Sequence, residues 1–348
     1  MKNFIYSIMT DRRSGPIYEP VKALLSLGSV AYGAALWVRK LLYTFGIFKT
    51  NKVPMKVISV GNLTLGGTGK TPFTVTLARM MADELRKNSC VLIRGYGWDE
   101  QAMLKNNLGD IPVLVGEDRV KSAHRAIKLY GCEAAILDDG FQHWELRRDL
   151  DIVLIDAGNP LLAGHLFPRG ILREPREELG RADIAVFTKI NKAATGVGAM
   201  KEELRKLNKE MMFLEAVHKP SRLYEVKTKR DLGLEYLGGK RVILFSSIGD
   251  PEYFEDTVKR LGAVVLEHVV FCDHHDYKQK DMDRIGRRCD ERKFDMLVTT
   301  EKDAVKLQRL ALSVAGYPVA VLAVELDIVS GKENLRARLH SMYIRKMS

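Results

Sequence analysis

Cysteine is scarce: Cys90, Cys132, Cys272 and Cys289 are the only four in 348 residues, and none forms a CxxC pair. This excludes a disulfide-stapled secreted scaffold and the common zinc frameworks, and leaves the thiols as ordinary core residues. No low-complexity tract or simple repeat is present, and the polar stretch around Asn191–Val197 and the Lys227–Gly239 segment are the best linker or excursion candidates. The longest uncharged stretch near the amino terminus, Ala23–Val38, is 16 residues, against about 20 for a bilayer-crossing helix. Nor does it end in the small-residue cleavage site of a secretory signal. What remains is a chain with 46% hydrophobic and 28% charged residues, the composition of a folded soluble body. Its length suits two α/β-sized units.

The formal charge is +11, from 55 Lys+Arg against 44 Asp+Glu, and it is unevenly placed. Residues 1–52 hold eight basic side chains (Lys2, Arg12, Arg13, Lys22, Arg39, Lys40, Lys49, Lys52) against Asp11 and Glu19, a net of +6 by eight minus two. On helical spacing Leu24, Leu27, Ala31, Ala34, Val38 and Leu41 form an apolar stripe, continued by Trp37, Leu42 and Phe45. Basic flanks beside such a stripe predict an interfacial helix on an anionic membrane surface, with packing on the protein's own core as the competing reading. A nucleic-acid binder would instead spread its charge over a folded face with interleaved aromatics, so no nucleic-acid partner is expected. The sequence is silent on protein partners.

Residues 56–60 (KVISV) read as a short buried strand, followed by Gly61-Asn-Leu-Thr-Leu-Gly-Gly-Thr-Gly-Lys-Thr71 and a helical run from Pro72 to about Leu85. Strand, glycine turn and helix in that order make a P-loop, whose backbone N–H groups and helix start cradle phosphates. The turn Thr64, Leu65, Gly66, Gly67, Thr68, Gly69, Lys70, Thr71 is the expected ATP contact, with Lys70 on the β/γ oxygens and the Thr71 hydroxyl on Mg²⁺. The usual pattern has glycine where this chain has Thr64, and Gly66, Gly67 and Gly69 supply the backbone freedom instead. Use of ATP also argues for the cytoplasm, against the twin-arginine export signal that Arg12–Arg13 imitates.

Ala134–Leu137 is a hydrophobic strand ending in Asp138 and Asp139, a Walker B arrangement in which either carboxylate can serve magnesium while its neighbour orients a base. Asp99 and Glu100 follow the strand Cys90–Ile93 and stand at a helix start, where proton acceptance from an alcohol and simple N-capping are both open. In Phe271–Tyr277 the adjacent His274 and His275 point apart on an extended chain, so a single orienting histidine fits better than a metal pair.

Taken in order, SVGNLTLGGTGKTP (59–72), RGYG (94–97), DE (99–100), VGEDR (115–119), ILDDGFQHWELRRDLDI (136–152), GILREP (170–175), DHHDY (273–277) and TTEKDAVKL (299–307) resemble the tetraacyldisaccharide 4'-kinase family along nearly the whole chain. That resemblance implies transfer of a phosphoryl group from ATP to the 4' hydroxyl of a lipid A disaccharide precursor, by a peripheral or monotopic enzyme on the cytoplasmic face of the bacterial inner membrane. Carried residue by residue, it implies Asp99 as the catalytic acid group with Lys70, an Asp139–His274 supporting pair, and magnesium on Glu100 and Asp138 besides Thr71. Arg119, His143 and Arg173 fall in motifs expected to face sugar, acyl or phosphate oxygens. This chain departs in reading WDEQ where the family commonly has GDEP, and GILREP where it often has a small residue after the glycine. The other readings are a membrane-docked P-loop ATPase switch acting on a protein partner, and a soluble small-molecule kinase.

The expected fold is α/β: a P-loop-containing parallel sheet domain with helices on both faces, a second smaller α/β domain, and an amino-terminal membrane-interface helix. The expected division is 1–52 for the helix region, 53–182 for the P-loop domain and 183–348 for the second domain. Strands are expected near 56–60, 90–93, 112–115, 133–137, 152–156, 183–188, 241–246, 264–270, 295–299 and 318–324.

Overall fold

The computed structural model describes residues 7–9, 11, 15–95, 97–158, 164–193, 196–290, 293–309, 314 and 316–344. The Arg12–Arg13 pair and Tyr96 of the RGYG motif lie outside them. The chain forms two compact units: Met1–Tyr96, Leu108–His218 and Leu326–Ser348 make the first, and Gly97–Asn107 with Lys219–Glu325 the second.

In the first unit the strands are β1 (Lys56–Asn62), β2 (Ser89–Ile93), β3 (Val113–Val115), β4 (Ala134–Asp138), β5 (Leu150–Asp156), β6 (Ile184–Thr188) and the start of β7 (Met212–Glu225). They lie in the order β3-β2-β4-β1-β5-β6-β7, and those paired in register are parallel. β1, β2 and β4 read as nearly unbroken apolar runs because both sheet faces are covered. Val57, Cys90, Leu92, Ala135 and Leu137 pack with Ala123 and Ala126 of the helix Arg119–Tyr130. Val153, Ile155, Ala185 and Phe187 pack with Leu204 of the helix Gly198–Leu207. The order reverses direction around β1, and ligands of open α/β sheets collect beyond the carboxyl ends of strands at such a point.

The second unit contains β8 (Arg241–Ser246), β9 (Val264–Val270), β10 (Met296–Thr300) and the first part of β11 (Val319–Ser330), in the order β11-β10-β8-β9, again parallel. Alternation along each strand splits its core. Ile243, Phe245 and Leu297 meet Met282, Ile285, Ala304 and Leu307, whereas Val242, Leu244 and Val298 meet Phe254 and Val258. The chain enters this unit within β7 and leaves it within β11.

The division expected after residue 182 and these compact units differ. Ile184–Thr188 pairs in register with Ile152–Asp156, so β6 continues the first sheet. Gly97–Asn107 joins the second unit instead, through the ion pairs of Asp99 described below. All ten expected strands are present within a few residues. β7 is the addition.

The amino-terminal helix is continuous from Glu19 to Thr44. The uncharged run is short for a span, yet the helix of residues 16–44 is by length and composition long enough to cross a membrane. Its half-buried residues Lys22, Leu25, Ser29, Tyr32, Leu36, Arg39 and Tyr43 recur every three or four positions, so one stripe rests on the first unit. The opposite stripe is apolar and outward: Leu24 is 69% exposed, Leu27 70%, Val30 72% and Trp37 63%.

Candidate active site

β1 delivers the chain to the glycine turn, and a helix begins at Lys70. Gly66 (φ 119°) and Gly69 (φ 88°) take left-handed backbone that a side chain would strain. With Gly69 as the helix cap, the unsatisfied N–H groups of the first turn are left for an anion. Lys70 Nζ donates to Asn62 Oδ1 at 3.0 Å and stands 3.6 Å from Asp139, so its charge is held at the turn.

Asp138 ends β4, in register with Val60 of β1. Its carboxylate accepts from the Thr74 hydroxyl at 3.0 Å, one helical turn beyond Lys70. Asp139 has φ 51°, a left-handed conformation that aspartate tolerates better than most residues. Arg173 Nη1 donates to both Asp139 oxygens, at 2.9 and 2.8 Å. Burial pushes this carboxyl up, but Lys70, Arg173 and Arg119 outweigh it and hold it below the ordinary value. Asp139 is therefore a fixed anion between two cations.

Arg119 begins the helix whose cap is Asp118, the carboxylate accepting from Lys121 N at 2.9 Å. From there its guanidinium donates to Asp138 O at 2.6 Å and Asp139 O at 3.3 Å, and the residue is 3% exposed. Two of its donors thus hold the backbone of the acid turn. His143 is half-buried, and its Nε2 finds no hydrogen-bond partner among the described residues. Burial first, then Arg119, Arg148, Arg94 and Arg39, push its pKa down to about 4.

The second unit holds the other predicted residues. Asp99 lies in the first turn of the helix Trp98–Leu108 and is 3% exposed. His274 Nδ1 stands 3.4 Å and Lys306 Nζ 3.3 Å from its Oδ2. Burial raises the Asp99 carboxyl, and His274, Lys302 and Lys306 together lower it well below its usual range. The His274 pKa is raised, first by its bond to Asp99, against burial and Lys302. His274 has φ 58°, strained backbone of the kind that gathers at functional sites. Its Nε2 is 3.8 Å from Glu100 and 3.2 Å from Lys302. His275 instead bonds Asp281 at 3.0 Å and stacks on Phe271, a structural role.

The predicted residues thus gather as two sets, each within one unit: Lys70, Thr71, Asp138, Asp139, Arg119 and Arg173, and separately Asp99, Glu100 and His274. The partner of His274 in its unit is Asp99; that of Asp139 in its unit is Arg173. Sequence reasoning missed Asn62, Gln142, Lys302, Asp303 and Lys306. Lys306 is 1% exposed and donates to Ser247 Oγ at 2.8 Å. Asp303, fully buried, accepts from Ser247 N, Tyr277 Oη and Thr300 Oγ1. Their signal was present in TTEKDAVKL, where Lys302, Asp303 and Lys306 share a helix face at three- and four-residue spacing.

Among the described residues no three His, Cys, Asp or Glu side chains converge as a metal cage. Mg²⁺ takes one or two protein oxygens and completes its shell with phosphates and water. The Thr71 hydroxyl and Asp138 carboxylate, both in the first unit, supply that kind of donor set.

A reversing parallel sheet whose central strand runs through a glycine turn into a helix headed by lysine and threonine, with an acid turn on the next strand, defines a P-loop protein. A family model described as tetraacyldisaccharide-1-P 4'-kinase matches residues 21–101 and 98–343. The tetraacyldisaccharide 4'-kinase of Syntrophus aciditrophicus is 36% identical over 343 residues, covering 89% of this chain and 90% of its own length. That of Halothermothrix orenii is 35% identical over 320 residues, covering 82% and 83%. The crystal structure of LpxK from Aquifex aeolicus in complex with ATP superposes with a TM-score of 0.71 at 29% identity, covering 93% of this chain and all of that one. The chain belongs to the tetraacyldisaccharide-1-P 4'-kinase family.

Proposed function

We propose that the chain is an ATP-dependent lipid-sugar kinase, moving the γ-phosphoryl of ATP to the 4' hydroxyl of a lipid A disaccharide precursor. The observation that carries this reading is Lys70, fixed by Asn62 and Asp139 at the head of a helix that follows a glycine turn. That turn, Thr64 to Thr71, receives the triphosphate, with Lys70 neutralising the transferring group. Mg²⁺, held by Thr71 and Asp138, would offset phosphate charge. Asp99 and His274 form the proton-accepting pair for the sugar hydroxyl: Asp99 is kept ionised and His274 is oriented by it. Arg173 fixes Asp139, and His143 offers a neutral imidazole toward substrate oxygens. The two compact units are proposed as its domains, in place of a single cut after residue 182.

The outward stripe of the amino-terminal helix, with the exposed Lys49 and Lys52 following it in the chain, is proposed to lie along an anionic membrane surface on the cytoplasmic face. Ser29, Tyr32, Arg39 and Lys40 all make polar bonds to the first unit. A transmembrane orientation would strip these, so a peripheral pose is favoured.

Mass spectrometry of a disaccharide lipid incubated with the protein, ATP and magnesium tests the function. A gain of one phosphate on the distal sugar is expected, and Asp99→Asn should abolish it while sparing ATP binding. Free phosphate released without any glycolipid product would overturn the reading in favour of an ATPase.

A further inference from the structure

The inner face of the amino-terminal helix is joined to the phosphate loop through one intermediate segment, residues 165–173. Ser29 Oγ donates to Leu166 O at 2.7 Å and accepts from Arg169 N at 2.9 Å. The helix sits close at this point. A Cβ on Gly28 would lie 2.9 Å from Pro168 Cγ, and one on Gly33 3.2 Å from Leu166 Cδ1. The far side of the segment is stitched to the start of the loop: Thr64 bridges Leu172, Leu65 N donates to Ile171 O at 2.8 Å, and Arg173 N donates to Leu63 O at 2.8 Å.

Two further paths run from the same helix face to Lys70. Tyr32 Oη donates to Arg173 O at 2.8 Å, and the Arg173 guanidinium grips Asp139, which stands beside Lys70. Arg39 Nη2 donates to Gln142 O at 2.6 Å, the Gln142 amide donates to Asn62 O at 3.0 Å, and Asn62 Oδ1 accepts from Lys70. Membrane attachment alone explains none of these contacts. An amphipathic anchor needs an apolar face, and these residues are the polar and small ones of the opposite face.

We propose that the inner face of the amino-terminal helix is a positioning element for the phosphate loop, with Ser29, Tyr32 and Arg39 as its contact residues. The proposal rests on reading Gly61–Thr71 as the ATP site. The helix thereby has two separable roles: its outer stripe meets lipid, and its inner stripe sets the backbone onto which phosphate is received. Each inner contact acts through Leu63–Leu65 or Lys70, so loss of the contacts loosens the nucleotide and leaves lipid attachment in place.

The test uses the full chain in detergent micelles, with ATP affinity measured at equilibrium without a lipid acceptor. Ser29→Ala combined with Tyr32→Phe is expected to weaken ATP roughly tenfold, the summed effect of two or three hydrogen bonds. Its binding to vesicles of phosphatidylglycerol and phosphatidylethanolamine should stay as in the wild type, and Ser29→Thr should recover most of the affinity lost in Ser29→Ala. Leu27→Ser with Val30→Ser, on the outer stripe, should do the reverse, weakening vesicle binding while ATP affinity in micelles holds. Wild-type ATP affinity in the inner-face variant, or an equal ATP loss from the outer-face variant, would overturn the proposal. Should the double variant fail to fold, Tyr32→Phe alone deletes one oxygen. It is then expected to cost about threefold in ATP affinity, and no loss rejects the idea. A wild-type chain that binds no ATP would refute the assigned function instead.

Discussion

His143 and Lys306 show what single side chains contribute, and neither role follows from residue type alone. His143 is held neutral, its pKa near 4 against an ordinary 6.5. Between those values the unfolded chain binds a proton that the folded chain does not, so stability is complete above about pH 6.5 and falls as the pH drops toward 4. The loss is expected to reach up to about 3 kcal/mol. Urea unfolding at pH 7 and pH 5 checks this, and His143→Gln should flatten the difference. Lys306 is a buried cation beside a buried carboxylate. Lys306→Met leaves Asp99 short of a partner and should cost about 3 to 5 kcal/mol by denaturant titration. In the double variant with Asp99→Asn the cost should be well below the sum of the singles, and strict additivity would contradict the pairing. The sequence displayed Lys70, Thr71, Asp138 and Asp139 openly, because a P-loop and its acid strand are contiguous motifs. Gln142 stayed hidden because its contact with Asn62 lies 80 positions away.

Elements were legible where burial forces a pattern. The parallel strands β1, β2, β4, β8 and β10 are covered on both faces, so their apolar runs stand out against polar turns. β7 escaped notice because MFLEAVHKPSRLYE carries Pro220 and alternates poorly, with exposed Lys219, Ser221 and Arg222 interrupting the buried positions. The amino-terminal helix was legible as an amphipathic stripe, but which face met the protein was not. The inward stripe mixes Ser29, Tyr32 and Arg39 with Leu25 and Leu36, while Leu24, Leu27, Val30 and Trp37 point out, so apolar residues lie on both faces. At this scale the Asp118 cap carries a consequence for the site, because the helix it starts aims Arg119 at the acid turn. Asp118→Ala should lower stability by about 1 kcal/mol. Turnover should also fall severalfold as the backbone of Asp138 and Asp139 loosens; calorimetry and the kinase assay read the two effects, and unchanged turnover would detach the cap from the site.

For the whole molecule, the chain is interleaved: the first unit contributes Gly97–Asn107 to the second and recovers its own last piece only from Leu326 onward. A cut in sequence cannot express this, so a boundary after residue 182 and these units divide the chain differently. The closing piece is substantial. Leu335 and Leu339 are fully buried, Thr76 Oγ1 donates to Leu326 O at 3.1 Å, and Lys332 and Arg336 pair with Glu84. Losing two buried leucines alone removes about 3 to 6 kcal/mol, comparable with the stability of a whole domain. A chain ending at Glu325 should therefore lose the protease resistance of its first unit, and digestion as slow as in the full chain would contradict this. During synthesis, Lys70 leaves the ribosome 256 positions before Leu326, by 326 minus 70. At roughly 5 to 20 residues per second that is a wait of about ten to fifty seconds. Throughout the interval the first unit waits for its last piece, so the glycine turn emerges long before the fold around it can be complete.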